Sequence, residues 1–352
     1  MSDLDLENAQ SVLHRGWSAT VGDYAIAGEW TGGGDALVVG DAAGSVYAFD
    51  GRSGDVAWTR PEAHNGGLLA LAVHPRGTSI ATAGQDGRIL VWNADDGEIV
   101  RSIEFGNQWV ENLAWSPTGN WLAASSSRQV RTYDTQGQQV WQSGAHPSTV
   151  SAIAWSSANE LATACYGRVA FFDVPAGKLR QQLEWKASLI SMAFNPAGDV
   201  VACGGQDLSV HFWRRPNGEG AIMSGYTSKP SALTFDASGT LLATSGGEVV
   251  TVWSFADDGP EGTRPGLLEL HIEPVSSLAF APSGPRLASG ARDGAVVVWS
   301  LQRDGDGVPV GADAVSGGVS CVRWRPDGHA LAAMDAQGGV TVWRVQDEAQ
   351  RR

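Results

Sequence analysis

A short apolar segment that ends in an aromatic residue recurs along this chain at a nearly constant spacing. Its eight copies end at Phe49, Trp92, Tyr133, Phe172, Trp213, Trp253, Trp299 and Trp343. Successive copies are 43, 41, 39, 41, 40, 46 and 44 residues apart. A period of about 40 residues indicates a structure assembled from one repeated supersecondary unit. We number the repeats one to eight in the order of these aromatic residues.

Each repeat contains further segments with the composition of β-strands. A strand such as "WLAAS" precedes the aromatic strand, and an earlier one, as in "ENLAWSPTG", ends at a polar turn with Pro and Gly. A more polar fourth segment follows the aromatic strand, as in "GEIVRSI". Short strands rich in small and β-branched residues, separated by turn residues, predict an all-β chain.

These repeats resemble the WD-repeat (Trp-Asp repeat) β-propeller family over nearly the whole chain. The resemblance implies one domain over residues 1–352, a single closed β-propeller of eight four-stranded blades, with seven blades as the alternative. Residues 1–10 and 347–352 are expected to be flexible tails. The last repeat ends at "VTVWRVQDEAQRR" without a fourth strand, and a spare strand lies near Ser11–Ser18. We therefore expect the N-terminal strand to complete the last blade, as in this family, and to close the ring.

Four polar and aromatic residues recur at the same spacing in repeats two and seven. The two sets are His64, Thr82, Asp86 and Trp92, and His271, Ser289, Asp293 and Trp299. Ser, His and Asp also form catalytic triads, but a triad occurs once per active site, whereas a structural device recurs with the repeat. The chain also lacks a nucleophile elbow motif. We interpret both sets as the structural hydrogen-bond tetrads of the family, and we expect no catalytic residue.

The tetrad is incomplete in the other repeats. Repeat five keeps Asp207 and Trp213 but has Cys203 and Trp185 at the other two positions. Repeat four has no Asp in its turn, and repeats one, three, six and eight have none six residues before the aromatic residue. We therefore expect several repeats to be held together by packing alone.

Composition excludes several classes of function. The chain has 38 acidic and 24 basic residues, a formal net charge of −14, which argues against nucleic acid or an anionic membrane as partner. The start "MSDLDLENAQ" is no signal peptide, and no apolar run reaches the roughly 18 residues of a membrane span. Three distant cysteines indicate reduced thiols in the cytoplasm. Converging metal ligands and a phosphate-binding glycine loop are missing, so we expect no metal and no cofactor.

The resemblance also indicates where a partner would bind. In this family partners usually dock where the turn before the third strand meets the start of the innermost strand. Carried over to this chain, that face contains Tyr24, Asp41, Gln85, Trp109, Glu111, Tyr166, Gln206, Lys229, Arg292 and Asp335. Exposed aromatic and Arg side chains are typical hot spots, which favours Trp109, Tyr24, Tyr166 and Arg292.

The sequence thus predicts a non-catalytic scaffold or adaptor, a monomer on its own, that binds a protein or peptide. The alternative is a small-molecule-binding or enzymatic propeller with its site at the mouth of the central channel. A cluster of ionisable side chains that points into the channel would favour the alternative.

Overall fold

The structure is a computed structural model that describes residues 11–257 and 259–346. The predicted tails, residues 1–10 and 347–352, lie outside the described residues. Within the described ranges all regular secondary structure is β, in 30 strands. No helix there is long and apolar enough to cross a membrane.

The strands follow the segments that the sequence pattern predicts. In chain order the first fifteen are β1 (Leu13–Thr20), β2 (Ala25–Trp30), β3 (Ala36–Asp41), β4 (Val46–Asp50), β5 (Val56–Arg60), β6 (Leu68–Val73), β7 (Ser79–Gly84), β8 (Arg88–Asn93), β9 (Ile99–Glu104), β10 (Asn112–Trp115), β11 (Trp121–Ser126), β12 (Gln129–Asp134), β13 (Gln139–Gln142), β14 (Ala152–Trp155) and β15 (Glu160–Asp173). The others are β16 (Lys178–Phe194), β17 (Val200–Gly205), β18 (Val210–Arg214), β19 (Glu219–Met223), β20 (Leu233–Phe235), β21 (Leu241–Thr244), β22 (Val249–Ser254), β23 (Gly266–Glu269), β24 (Val275–Phe280), β25 (Arg286–Ala291), β26 (Ala295–Leu301), β27 (Gly307–Ala314), β28 (Val319–Trp324), β29 (Ala330–Asp335) and β30 (Gly339–Val345).

These strands form seven hydrogen-bonded sheets, six of four strands and one of six. The six-stranded sheet has the order β14-β15-β16-β17-β18-β19 and contains repeats four and five. The 17-residue strand β16 pairs with β15 through its first part and with β17 from Leu189 to Phe194. It is both the fourth strand of repeat four and the first strand of repeat five. The prediction of eight separate four-stranded blades is therefore corrected to seven sheets, because this strand continues from one repeat into the next.

The sheets surround a central channel lined by the first strand of each repeat. These innermost strands contact one another in the cyclic order β2, β6, β10, β14, β16, β20, β24, β28 and back to β2. The last sheet has the order β1-β30-β29-β28, so the N-terminal strand pairs with the third strand of repeat eight. Register runs from Leu13 opposite Val345 to Thr20 opposite Gly339. The predicted all-β propeller, completed by its N-terminal strand, is confirmed.

Side-chain contacts stabilise this closure in addition to the backbone pairing of β1 with β30. The Arg15 guanidinium donates to both carboxylate oxygens of Asp313, at 2.8 and 3.0 Å, and to the Ala314 carbonyl at 2.9 Å. The same carboxylate accepts the indole N–H of Trp343 at 2.7 Å, and Trp343 is fully buried. The N-terminal strand is thereby linked to the fourth strand of repeat seven and to the core of repeat eight.

The second strand of each repeat is buried along nearly its whole length. β7, β11, β17, β25 and β29 are buried on both faces because adjacent sheets pack against them, so the polar–apolar alternation of an exposed strand is missing. Gly84, which ends β7, shows how close the neighbouring segment lies. A Cβ there would lie 2.5 Å from the Gly67 carbonyl oxygen and 2.8 Å from the His64 side chain. Only glycine fits this position.

Candidate interaction face and channel mouth

We define the upper face as the end of the ring that carries the turns between second and third strands, such as residues 85–87 and 292–294. It also carries the segments that lead into the innermost strands, such as residues 107–111 and 228–231. Both predicted tetrads lie directly beneath this face, because His64 and His271 belong to the leading segments and Asp86 and Asp293 to the turns.

The tetrad of repeat two is a continuous chain of hydrogen bonds. His64 Nδ1 lies 3.0 Å from Asp86 Oδ1, and His64 Nε2 lies 2.8 Å from Thr82 Oγ1. The Trp92 indole N–H donates to the same Thr82 oxygen at 2.8 Å. A carboxylate only accepts, so Nδ1 carries the imidazole proton and Nε2 accepts the Thr82 hydroxyl. Burial lowers the pKa of His64, and the bond to Asp86 offsets this only in part.

The tetrad of repeat seven is looser on its carboxylate side. His271 Nε2 lies 2.7 Å from Ser289 Oγ, which also accepts the Trp299 indole N–H at 2.8 Å. His271 Nδ1, however, lies 3.6 Å from Asp293 Oδ2, beyond hydrogen-bond distance. Asp293 instead accepts the backbone N–H groups of Ile272 and Ala295. Both tetrads therefore join the turn to the strands beneath it.

Burial separates both tetrads from any substrate. Thr82 and Ser289 have no exposed surface, and His64 and His271 are 1% and 5% exposed. Each hydroxyl is already engaged with a His and a Trp, so neither is free to attack a bound molecule. The arrangement joins strands and has the accessibility of a core, not of an active site.

Two repeats without the tetrad pattern use substitutes, which corrects the expectation that packing alone holds them. In repeat six Tyr226 takes the place of His: its hydroxyl lies 2.8 Å from Thr244 Oγ1 and accepts the Trp253 indole N–H at 3.0 Å. In repeat eight Asp313 accepts the Trp343 indole N–H. Tyr226 lies 27 residues before Trp253, against 28 between His and Trp in both full tetrads. That near match is the sequence signal that reveals it.

In repeats four and five the partial sets do not form the tetrad chain. Trp185 stacks on His211 with ring centroids 4.0 Å apart, and Cys203 is fully buried in β17. In repeat four both ring nitrogens of His146 lack a hydrogen-bond partner among the described residues, although the side chain is 2% exposed. Burial, together with the charges of Arg168 and Arg128, lowers the pKa of His146 to about 4.

This buried imidazole predicts a loss of stability in mild acid. Its pKa is about 4 in the folded protein and 6.5 as the ordinary value, so the unfolded chain binds the proton more readily. The stability is therefore complete above pH 6.5 and falls as the pH drops toward 4. At pH 5, His146 lowers the free energy of unfolding by about 2 kcal/mol relative to its value above pH 6.5. His146→Leu should remove that part of the pH dependence and leave stability at pH 7.5 unchanged or higher, measured by urea unfolding at both pH values. An unaltered difference between pH 7.5 and pH 5 in this variant would contradict the assignment.

Most residues predicted for the partner face lie on the upper face. Trp109 and Tyr166 are 53% and 54% exposed, and Tyr24 is 38% exposed. The other exposed or half-buried members are Gln85, Glu111, Gln206, Lys229 and Arg292. The three aromatic side chains therefore present apolar surface to solvent instead of filling the core.

Two residues predicted for that face, Asp41 and Asp335, are buried beneath it, which corrects the prediction. They are 0% and 1% exposed. Asp41 accepts the Ser45 N–H and the Tyr47 hydroxyl, and Asp335 accepts the N–H groups of residues 337 and 339. Each carboxylate points back into its own turn, where it satisfies backbone donors, so neither is available to a partner.

A depression of about 1050 Å³ opens at the centre of the upper face, and we call it the mouth pocket. Its lining brings together Tyr24, Lys229 and Arg292, which sequence analysis placed on the face. Also present are Ile190, Leu208 and serine hydroxyls, among them Ser228 and Ser231. Its lining contains no His, Cys, Asp or Glu. The mouth pocket is therefore cationic in a strongly acidic protein.

Serine side chains join neighbouring repeats around the central channel. Each lies in an innermost strand or directly before it and donates to a backbone carbonyl of the next repeat, at 2.5 to 2.8 Å. The donor and acceptor pairs are Ser151–Leu189, Ser191–Pro230, Ser276–Val319 and Ser320–Ala25. These bonds tie neighbouring repeats together around the channel, so the pocket is preformed.

Leu208 is a pocket residue that sequence reasoning missed. It has a φ of +59° and is 39% exposed. At the equivalent position, five residues before the aromatic residue, repeats one, two, four, seven and eight have Gly44, Gly87, Gly167, Gly294 and Gly338, all with positive φ. The left-handed conformation costs an L-residue about 1–2 kcal/mol. The sequence signal that could have revealed this residue is a leucine at a position where most other repeats have glycine.

Among the described residues no group of three or more His, Cys, Asp or Glu side chains is placed to hold a metal ion. The three cysteines are free and buried. Burial raises the pKa of the Cys165 and Cys321 thiols.

Comparison with known proteins agrees with this geometry. A family model for the WD domain, G-beta repeat, matches residues 262–300, which include the whole tetrad of repeat seven. A second model, described as outer membrane protein assembly factor BamB, matches residues 42–210. The repeats, the tetrads, the closed ring and the match over residues 262–300 agree in their resemblance to the WD-repeat β-propeller family.

The similar proteins are diverse. Telomerase protein component 1 of Mus musculus is 24% identical over 82% of this chain and 11% of its own length. Actin-interacting protein 1 of Caenorhabditis elegans is 25% identical over 74% and 44%. Small ribosomal subunit protein RACK1y of Oryza sativa subsp. japonica is 33% identical over 24% and 25%. The chain thus matches less than half the length of each of these relatives.

Among solved structures, the computationally designed Ika8 protein superposes with a TM-score of 0.80 at 21% sequence identity. The match covers 93% of this chain and 98% of that one. At this identity the likeness establishes the fold alone.

Proposed function

We propose that the protein is a non-catalytic scaffold or adaptor that binds a protein or peptide through its upper face. The observation that carries the proposal is the exposure of Trp109, Tyr166 and Tyr24 on one rigid surface. Exposed aromatic side chains are unfavourable in water, and a partner that covers them offsets that cost. WD-repeat propellers typically serve as interaction platforms, which supports the same conclusion.

The alternative, a small-molecule or enzymatic site, has the mouth pocket as its supporting observation. That lining offers Tyr, Lys, Arg and Ser side chains but no His or carboxylate to exchange a proton near neutral pH. The pocket therefore favours binding over catalysis. We further propose that the protein acts as a monomer in the cytoplasm, where its three free thiols remain reduced.

The proposed interface predicts a loss of binding without a loss of stability. Trp109→Ala combined with Tyr166→Ala should weaken partner binding by about 2 kcal/mol, because both side chains are more than half exposed and form little of the core. The measurement is capture of partners from an extract of the source cells, quantified by mass spectrometry, with melting temperatures recorded for each variant.

The matched control is Ile222→Ala with Leu267→Ala. These side chains are 52% and 58% exposed and lie on the outermost strands β19 and β23, outside the turns and leading segments that define the upper face. The control should capture the same proteins as the unmodified chain. Equal capture by both double variants would remove the upper face as the interface.

A further inference from the structure

Two cations of the mouth pocket have no side-chain partner in the part of the chain that the structure describes. Lys229 and Arg292 are its charged lining residues and are exposed, and neither has a side-chain ion pair or hydrogen bond among the described residues. Other arginines are paired, as Arg15 is with Asp313 and Arg323 with Glu29. In a chain of net charge −14, two unpaired cations in one pocket form a local site for negative charge.

The pocket also presents apolar surface that the fold does not require. Leu208 occupies a left-handed position where five other repeats have glycine, and its side chain is partly exposed in the lining beside Ile190. Tyr24 adds an aromatic ring on the side of repeat one. Strain retained at an exposed position is a mark of a binding site, because packing does not compensate it.

We propose that the mouth pocket binds an acidic peptide segment that carries an apolar side chain. The carboxylates of the segment pair with Lys229 and Arg292, and its apolar side chain packs on Leu208 and Ile190. Ser276 and Ser320 already donate to backbone carbonyls, so the hydroxyls of Ser228 and Ser231 are the ones placed to bond the peptide backbone. This inference rests on the proposed function and names the chemistry of the partner.

A peptide fits these observations better than a nucleic acid. The positive charge of the mouth pocket comes from two side chains, whereas the chain as a whole has a net negative charge. A long polyanion would therefore be repelled outside the pocket. The lining also contains a single aromatic ring, Tyr24, whereas single-stranded nucleic acids need several stacking platforms. A short segment with a few carboxylates avoids both problems.

The charge part of the proposal is tested with a fluorescein-labelled peptide that has one leucine among glutamates, by fluorescence anisotropy. Lys229→Glu with Arg292→Glu should weaken its binding about tenfold or more, as should glutamine in place of every glutamate of the peptide. The matched control is Arg52→Glu with Arg76→Glu. This control makes the same change in net charge at two exposed residues. Arg76 lies in a turn between first and second strands and Arg52 in a turn between third and fourth strands, both at the end of the ring opposite the upper face.

Leu208→Gly tests the apolar part and separates it from folding. Glycine relieves the left-handed strain, so the melting temperature should rise, while binding of the leucine-containing peptide falls about fivefold. A peptide with glycine in place of its leucine should bind both proteins equally. Weaker binding together with higher stability is a result that a purely structural role of Leu208 does not produce.

The proposal is overturned if the unmodified protein fails to bind the glutamate peptide, or if the Lys229/Arg292 and Arg52/Arg76 variants bind it equally. Tighter, equally variant-sensitive binding of a single-stranded oligonucleotide would reassign the pocket to phosphate. In each case, loss of captured partners in the Trp109→Ala/Tyr166→Ala protein would leave the proposed scaffold function standing, so the two failures are distinguishable.

Discussion

Removal of residues 1–20 should lower the melting temperature by about 10 °C and make the protein self-associate. The deletion takes away β1 together with the buried side chains of Val12 and Leu13, which are 1% and 8% exposed. Burial of each contributes about 1.5–3 kcal/mol, so the loss is about 5 kcal/mol before the lost strand pairing is counted. It also exposes the edge of β30, whose sequence "GVTVWRV" is apolar and β-branched. Such an edge is a template for pairing with another chain.

The measurement is differential scanning calorimetry together with light scattering. Removal of residues 1–10 alone is the matched control, because it leaves β1, the Arg15–Asp313 ion pair and the β1–β30 pairing in place. A synthetic peptide of residues 11–20, added in excess, should restore the melting temperature of the longer deletion and suppress its association. A monomeric deletion protein with an unchanged melting temperature would show that closure by β1 contributes little.

Strand positions and ring closure follow from the sequence because they depend on patterns that repeat. The aromatic residue that ends each third strand fixes the phase of the repeat, and a missing last strand with a spare first one predicts the closure. The tetrad residues follow for the same reason, since two copies with identical spacing indicate one local geometry. Repetition turns weak local signals into a reliable prediction of the fold.

The number of sheets depends on a junction that the pattern does not mark. Most segments that lead into an innermost strand contain Gly or Pro, as in "AHPST" and "TSKP". The segment "EWKASLIS", residues 184–191, contains neither, so the backbone has no turn residue to end the strand. It continues as β16 and joins repeats four and five. The absence of a turn signal is visible in the sequence, but its consequence depends on the pairing of both neighbours.

Side-chain direction explains the errors at the upper face. Asp41 and Asp335 end their second strands, one position before the turn residues that match Gln85 and Arg292, and their short carboxylates reach the amides of their own turns, whereas the longer side chains extend to solvent. Tyr226 and Asp313 were missed for a related reason. A residue one or two positions away from the expected spacing reaches the same indole N–H when its side chain has a different length.

Thr82→Val should destabilise the protein by about 2–4 kcal/mol without any loss of packing volume. Valine has the shape of threonine, but it removes the oxygen that accepts the Trp92 N–H and bonds to His64 Nε2. Both nitrogen atoms then remain buried without a partner, at about 1–3 kcal/mol each, and only part of this is recovered by relaxation. Urea unfolding at pH 7.5 measures the change, and Thr82→Ser, which keeps the hydroxyl, should lose much less.

Thr132→Val is the matched control because Thr132 is also fully buried in a strand, β12, but its hydroxyl has no hydrogen-bond partner among residues 11–257 and 259–346. The same chemical change there removes an unsatisfied polar atom, so stability should stay constant or rise by about 1 kcal/mol. The same substitution would then lower stability at Thr82 and leave or raise it at Thr132. Such a result would separate the contribution of the tetrad hydrogen bonds from that of burying a more apolar side chain. Equal destabilisation at both sites would mean that the tetrad contributes by packing and not by hydrogen bonding, and the structural role assigned to His64 and His271 would then fail.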